Sequence, residues 1–330
     1  MHMALKTRSF EFMSCIILLM ILCISPHTNV EHSWTIPDFQ IGGVFRVKEE
    51  TALASGKGIN VARSMKILGA DVFSLGFVAG HTGHWFTELA AEEGLAGEWT
   101  WIEGEGRLAV AIVDPKSDQD ATLISSTGPQ VSGLDWERLS AAVIERVPSA
   151  QGVCCSGSLP PGSPLTNFTR LIQEIERRGR SVWLDHSGEV LKAGLMGKPQ
   201  GIKVNAVEAG EITGLIVKDF ESAFNAAYVL RSLGTRWAII TMGKQGAILD
   251  TGQVKWIAQP PVLADTISSV GSGDAFLAGW MVGLARGMLP SEALRMAAAA
   301  GAANTQLFGG GRFRLEDYGR ILPLVKVEPG

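Results

Sequence analysis

Short apolar runs alternate with amphipathic stretches along most of this chain, and that alternation restricts it to one class of fold. Strand-like runs occupy residues 72–78, 108–113, 152–155, 181–184, 202–204 and 237–241. Stretches with helical period occupy 61–68, 85–93, 136–147, 165–178, 220–233 and 292–307. On the first of these Val61, Met65 and Leu68 share a face, and on the fourth Leu171, Ile172 and Ile175 do. Alternating units of this length predict an α/β fold, a doubly wound and mainly parallel sheet with helices on both faces. Ligands of such sheets sit beyond the carboxyl ends of the strands, where the glycine-rich turns of this chain fall. Two segments break the alternation, about 31–51 and 99–125. Neither has a helical period, and both are predicted as strands of a small β lid over the site. Residues 246–258, centred on Thr251-Gly252, read as a hairpin. With no repeat and no low-complexity linker, residues 20–330 read as one domain.

A chain of 330 residues, 46% hydrophobic and 19% charged, can bury a large core. Its 29 basic and 33 acidic residues leave a net charge of −4 with no basic run, which argues against nucleic acid as a partner. Cys15, Cys23, Cys154 and Cys155 lie in apolar runs without metal or disulfide spacing, which fits a reducing compartment. Adjacent Cys154 and Cys155 should face opposite sides of a strand. His81 and His84 lack a third ligand nearby and read as loop histidines. Lys6 and Arg8 precede an apolar run at 15–24, as long as a signal-peptide core but too short to span a bilayer. No small-x-small cleavage site follows it. Residues 16–24 therefore read as the buried first strand of the sheet, with 1–19 including an extension ahead of the fold. The expectation is a cytoplasmic protein with no membrane partner.

Four motifs carry the chemistry, three of them glycine-containing turns. Val270-Gly271-Ser272-Gly273-Asp274-Ala275-Phe276 opens an apolar helix continued by Leu277, Trp280, Met281 and Leu284. Unpaired N–H groups at such a helix start attract anions, and glycines allow close approach of a phosphate. Asp274 at the same end can accept a proton from an attacking hydroxyl. An ordinary glycine-rich helix start also fits this motif taken alone. Ser55-Gly56-Lys57-Gly58-Ile59-Asn60 opens a second helix, with a cation and an amide suited to a polyhydroxylated or phosphorylated ligand. Ser156-Gly157-Ser158-Leu159-Pro160-Pro161-Gly162 follows a strand directly and forms a rigid turn at the same edge. In Lys203-Val204-Asn205-Ala206-Val207-Glu208, Asn205 and Glu208 are three apart. They can share one solvated cation, as Mg²⁺ sites prefer, or cap the following helix.

Together with Leu184-Asp185-His186-Ser187-Gly188, these motifs resemble, in order, the ribokinase-like PfkB-type sugar kinases, and within them the phosphosugar branch of 1-phosphofructokinase and tagatose-6-phosphate kinase. The resemblance runs from about residue 20 to 313. It implies ATP and Mg²⁺ as cofactors and a sugar phosphate as substrate. It makes Asp274 the base, and Gly271, Ser272 and Gly273 the anion hole for the transferring phosphate. Asn205 and Glu208 would organise Mg²⁺, and Thr241, Gly243 and Gly246 would line the nucleotide cleft, with Asn304 near the adenine. Glu31, Ser55, Gly56, Lys57, Asn60 and Arg107 would hold the acceptor, Arg107 gripping its phosphate with a bidentate guanidinium. A homodimer through the lid is also compatible.

The departures from the branch pattern cluster. Its Asn-Pro-Ala-x-Asp is His27-Thr28-Asn29-Val30-Glu31 here, and the first glycine of Gly-Gly-Lys-Gly is Ser55. Ala109 stands for an asparagine, Ser125-Ser126 for Asn-Glu, Val204 for the proline of Lys-Pro-Asn and Ser269 for a threonine. Nearly all lie on the acceptor side and lid. The expectation is a cytoplasmic ATP- and Mg²⁺-dependent kinase acting on a primary hydroxyl of a ketohexose phosphate. Alternatives are a kinase for a free sugar or nucleoside, a catalytically idle sugar-phosphate-binding protein and, from the 15–24 run alone, an exported binding protein.

Overall fold

A computed structural model of the chain describes residues 20–47, 49–116, 121–264 and 266–330. The expected extension at 1–19, with Cys15 and the first part of the apolar run, lies outside the described residues. The chain begins with β1 (Met20–His27), β2 (Asn29–Thr35), β3 (Glu50–Ser55), α1 (Lys57–Ile67) and β4 (Asp71–Ala79). It continues through α2 (Gly80–Glu92), β5 (Gly97–Ile102), β6 (Arg107–Val113), β7 (Thr122–Ser125) and α3 (Gly133–Arg146). Then come β8 (Gly152–Ser156), α4 (Leu165–Arg177), β9 (Val182–Asp185), α5 (Gly188–Met196), β10 (Gly201–Asn205) and α6 (Ala206–Thr213). After α7 (Phe220–Ser232) and β11 (Trp237–Thr241), the hairpin β12 (Ala247–Asp250) and β13 (Lys255–Gln259) forms as predicted. The last elements are α8 (Ser272–Ala285), α9 (Pro290–Asn304), α10 (Leu315–Ile321) and β14 (Lys326–Pro329).

The main sheet has the order β14-β13-β12-β11-β10-β9-β8-β1-β4-β5. Its seven strands from β11 to β5 are parallel, and β12 to β14 close one edge antiparallel. Alternate residues of the central strands feed two cores. Leu22, Ile24, Cys155 and Leu184 pack on one face, while Ile21, Cys23, Cys154 and Trp183 pack on the other. The adjacent cysteines thus point to opposite faces, as a strand requires. On the second face α8 is buried from Asp274 to Gly283 and lies against α9, where a side chain on Gly279 or Gly283 would strike the α9 backbone. An apolar helix needs this burial on most sides, and small residues permit the close approach. Trp183, Trp237 and Trp280 meet edge-on beneath it.

Parallel strands place their carboxyl ends on one edge. Ser156, Asp185, Asn205 and Thr241 are the last residues of β8, β9, β10 and β11, so four chemically active side chains line that edge. The lid is a separate four-stranded sheet in the order β3-β2-β6-β7.

Two expectations for the lid need correction. Residues 99–102 belong to β5, which pairs in parallel with β4 at the edge of the main sheet, and the second lid segment starts at Arg107. The cause is the α2 crossover, which returns the chain beside β4, where Trp99 packs edge-on against Phe86 of α2. The first segment is not continuous strand. β2 begins at Asn29, β3 ends at Ser55, and the loop between them is irregular, with the Asp114 carboxylate accepting the N–H groups of Asp38 and Phe39. At the other end of the chain α9 stops at Asn304, three residues before the predicted end.

Candidate active site

Two helix starts face each other across the edge of the sheet. Gly56 and Gly271 cap α1 and α8 with φ of 119° and 81°, values that L side chains rarely adopt. A Cβ on Gly271 would also lie 2.5 Å from Cα of Gly310, so backbone strain and contact both demand glycine there. Of the amides predicted for the anion hole, that of Ser272 donates to the Ser269 carbonyl (3.1 Å). The Ser272 hydroxyl is buried without a protein partner, an arrangement that suits a ligand oxygen.

Asp274 follows directly, 6% exposed, and its Oδ2 accepts Nδ2 of Asn60 at 2.9 Å. Burial, with the Asp185 carboxylate nearby, pushes its carboxyl up to about 6 against the pull of Lys57, Asn60 and Lys203. A carboxyl group with a pKa near neutrality is still ionised at neutral pH and is more basic than an ordinary carboxylate, as a proton acceptor should be.

Asp185, at the end of β9, is fully buried between two ammonium groups, Lys203 Nζ at 3.2 Å and Lys57 Nζ at 3.5 Å. Burial alone would raise its carboxyl, but Lys203 and then Lys57 outweigh it and hold the group below the usual carboxylate range. Lys57 is raised in turn, chiefly by Asp185, and its Nζ also lies 3.7 Å from Oε1 of Glu208. A Cβ on Gly273 would sit 2.6 Å from Lys203 Nζ, so this lysine lies directly beneath the glycine turn. Buried ion pairs are poor stabilisers, because desolvation offsets most of their attraction. Two lysines and two aspartates kept at this helix start are therefore better explained by a ligand than by stability.

Sequence reasoning placed Lys57 among the residues that hold the acceptor and its phosphate; its ammonium lies near Asp185 and Glu208. It gave no role to Asp185 or Lys203. The signal available was a lysine inside the otherwise apolar β10, a residue type almost never fully buried without a partner. Asn205 and Glu208 form a reciprocal capping box at α6, each side chain accepting the other's N–H at 2.9 Å. That uses one oxygen of each and leaves Glu208 Oε1 turned towards Lys57.

Thr241 ends β11 beside them, its hydroxyl 3.4 Å from the Val204 carbonyl. Gly243 and Gly246 flank the tight turn into β12, where a Cβ on Gly246 would strike the Ala258 carbonyl. Asn304 is fully buried and donates to the Val270 carbonyl (2.8 Å), holding the residue before the glycine turn.

The acceptor side is assembled from lid strands. Glu31 on β2 is buried, and Ser55 on β3 donates its hydroxyl to Glu31 Oε2 at 3.2 Å. Burial raises the Glu31 carboxyl, with Ser55, Arg63 and Arg107 opposing. Two departures from the branch pattern are thus in contact: the serine hydroxyl seats the longer carboxylate. Arg107 is half-buried and donates Nε to the Ser126 carbonyl (3.1 Å), which leaves the ends of its guanidinium for a ligand. His27 links the lid to the main sheet. A carbonyl only accepts, so Nε2 carries the hydrogen donated to Thr127 O (3.1 Å), and Nδ1 accepts the Ser158 hydroxyl (2.8 Å). Burial, then Arg107, lowers its pKa to about 4, so the ring is neutral.

Among the described residues no group of three or more His, Cys, Asp or Glu side chains is arranged to hold a metal ion, and no helix is long and apolar enough to cross a membrane.

Residues 34–316 match the sequence pattern of the pfkB family of carbohydrate kinases. The chain is 32% identical over 266 residues to 1-phosphofructokinase of Escherichia coli K12, covering 81% of this chain and 84% of that one. With 1-phosphofructokinase of Bacillus subtilis 168 it shares 30% over 311 residues, 93% and 99% of the two chains. Phosphofructokinase-2 from E. coli, in its tetrameric inhibited form, superposes with a TM-score of 0.84 at 24% identity over 93% of this chain and 99% of that one. Ribokinase of Arabidopsis thaliana, complexed with ribose and ATP, superposes with a TM-score of 0.73 at 21% identity over 92% and 98%. The ribokinase-like fold expected from the sequence is the one observed.

Proposed function

The chain belongs to the pfkB family of carbohydrate kinases, which are ATP-dependent phosphotransferases, and from that premise we propose that it moves the γ-phosphate of ATP onto a primary hydroxyl of a hexose phosphate. The observation that carries this reading is Asp274, an ionisable carboxylate held by Asn60 at a glycine-rich helix start beside the buried Lys203 and the more exposed Lys57.

In this mechanism Asp274 takes the proton of the acceptor hydroxyl. The oxygen attacks the γ-phosphorus in line, the new P–O bond forms, and the bond to the β,γ-bridging oxygen breaks to release ADP. The glycine turn at Gly271 and Gly273, with Lys57 and Lys203, meets the charge on the phosphoryl oxygens. Thr241, Gly243 and Gly246 line the nucleotide side. Asn304 acts there through the Val270 carbonyl it holds. Glu31, Ser55, Gly56, Asn60 and Arg107 hold the acceptor under the lid, whose closure excludes water that would hydrolyse ATP.

The residues present fit Mg²⁺. Asp274, Asp185 and Glu208 outnumber Lys57 and Lys203 by one charge, so a triphosphate brings negative charge that the site alone does not offset. Glu208 keeps one carboxylate oxygen outside its capping bond. With Asn205 it would hold Mg²⁺ largely through water and phosphate oxygens, as that ion prefers, and the ion would supply charge neutralisation.

The 1-phosphofructokinase relatives favour a ketohexose phosphate as acceptor. One observation favours a second reading, a kinase for a free sugar: Lys57 is committed to Asp185 and Glu208, which leaves Arg107 to meet an acceptor phosphate. Exposed Leu123 and Ile124 on β7 support a homodimer through the lid, and the family fits a cytoplasmic enzyme.

The test is ADP release with Mg²⁺-ATP against fructose-1-phosphate, fructose-6-phosphate, tagatose-6-phosphate, free sugars and nucleosides, with Asp274→Asn as control. Turnover on a phosphosugar that vanishes in the variant is the expected result. Turnover on free sugars alone would select the second reading. Binding without turnover on any acceptor would reject both.

A further inference from the structure

Arg63 lies one turn after Asn60 on α1 and is 5% exposed. A guanidinium has five N–H donors and no acceptor, and the contacts here use all five. Nε and Nη2 grip the Glu93 carboxylate at 2.5 and 2.8 Å, and Nη2 donates again to the Ala54 carbonyl. Nη1 donates to Asn60 Oδ1 at 2.9 Å and to the Gly310 carbonyl at 2.8 Å. The next residue, Ser64, donates to the Gly311 carbonyl at 2.9 Å. This glycine loop is the one packed against Gly271.

Because arginine can only donate, the Asn60 atom facing it is the oxygen. The Asn60 amide nitrogen is thereby turned to Asp274 Oδ2. We propose that Arg63 is a positioning residue for phosphoryl transfer, fixing Asn60 in the one orientation that donates to Asp274 and tying that pair to the loop behind Gly271. The Ser55 hydroxyl lies 3.4 Å from the same Asn60 oxygen, but its single hydrogen goes to the nearer Glu31 Oε2, so it does not replace the arginine. Without the arginine fork the amide is free to turn its oxygen towards Asp274, replacing a donor by a repelling dipole. The other charged groups facing Asp274 are Lys57 from α1, Asp185 from β9 and Lys203 from β10. Glu93 and Glu31 are the carboxylates near Arg63 itself.

The inference rests on Asp274 being the base, and two variants separate it from that reading. Arg63→Lys keeps the positive charge but cannot reach Asn60, Gly310, Ala54 and Glu93 together. Arg63→Met removes every donor. Steady-state kinetics against pH should show kcat reduced roughly tenfold in R63K and roughly a hundredfold in R63M, with KM for the acceptor within about threefold. The acid limb of kcat should move up by roughly half a pH unit or more. The same upward shift should appear in the pH titration of the Asp274 side-chain carboxyl ¹³C resonance, which needs no turnover. Wild-type kcat with an unmoved Asp274 titration in folded R63K would overturn the inference, and so would a raised KM at unchanged kcat in either variant. If the wild type turns over no acceptor, the kinase reading fails by itself, and the carboxyl titration of R63K still decides the role of Arg63.

Discussion

On the transfer side of the cleft, Asp185, Lys203, Lys57 and Asp274 are brought together by the ends of β9 and β10 and the starts of α1 and α8, all fixed by the main sheet. On the acceptor side, Glu31, Ser55 and Arg107 sit on strands of a separate four-stranded sheet, and His27 at the end of β1 reaches the Thr127 carbonyl beyond β7. In the first region each charge is positioned by an opposite charge or a backbone turn that admits only glycine. In the second, hydroxyls and carbonyls do most of the positioning, and β7 is exposed along its length. The two regions therefore differ in what they tolerate. Replacing Asp185 or Lys203 leaves the other buried charge uncompensated, at a cost of several kcal/mol. Replacing a lid hydroxyl removes one hydrogen bond of roughly 1 kcal/mol. That difference accounts for the clustering of the departures at Glu31, Ser55, Ala109, Ser125 and Ser126 while the Gly271 to Asp274 turn keeps its form.

The sharpest way to break this comparison is Asp274→Asn, expected to lower kcat about 10³-fold by removing the base. The same change should stabilise the fold at pH 8. With a folded pKa of about 6, above the value of the unfolded chain, the carboxylate is destabilising when ionised. That penalty is present above pH 6 and disappears as pH falls towards the unfolded value. It amounts to something on the order of 3 kcal/mol. Thermal melts of the two proteins at pH 8 and near pH 4 check both the sign and the window. In the wild type, kcat should rise with pH through about 6 and then level off.

Gly271→Ala comes next. Its Cβ meets Gly310 in a left-handed turn, so kcat should fall about a hundredfold and stability by roughly 1–3 kcal/mol, read from single-turnover kinetics and urea unfolding. Arg107→Ala acts on the other region. It should raise KM for the hexose phosphate about 10–100-fold, the worth of a charge-assisted contact, with kcat within about fivefold. An equal loss on free hexose would remove Arg107 from phosphate recognition. The smallest effect is expected from Ser55→Ala, which frees the Glu31 carboxylate and should change acceptor KM only about threefold.

What could be read from sequence follows the same division. The Gly271 to Asp274 turn was legible as a helix start because its glycines lead directly into an apolar stretch of helical period. The strand ends at Asp185 and Asn205 were placed by the alternation alone. Lys203 was given no role, since its position beneath Gly273 is a contact between β10 and α8 that no local pattern encodes. The neighbours of Lys57, Asp185 and Glu208, were not foreseen, because they come from elements distant in sequence. Residues 99–102 read as lid because a half-exposed edge strand and a lid strand carry the same polar and apolar pattern. Of the two readings of Asn205 and Glu208, the helix cap is the one seen; it uses the only side-chain oxygen of Asn205 and leaves Glu208 Oε1 outside it.

The division of labour is tested most directly by calorimetric titration of ATP and of the hexose phosphate into wild type, Asp274→Asn and Arg107→Ala. The account predicts that D274N binds both ligands within about threefold of wild type while failing to turn over, and that R107A loses hexose-phosphate affinity at least tenfold while keeping that for ATP. Loss of ATP binding in R107A comparable to its loss of sugar binding, or loss of acceptor binding in D274N, would contradict it.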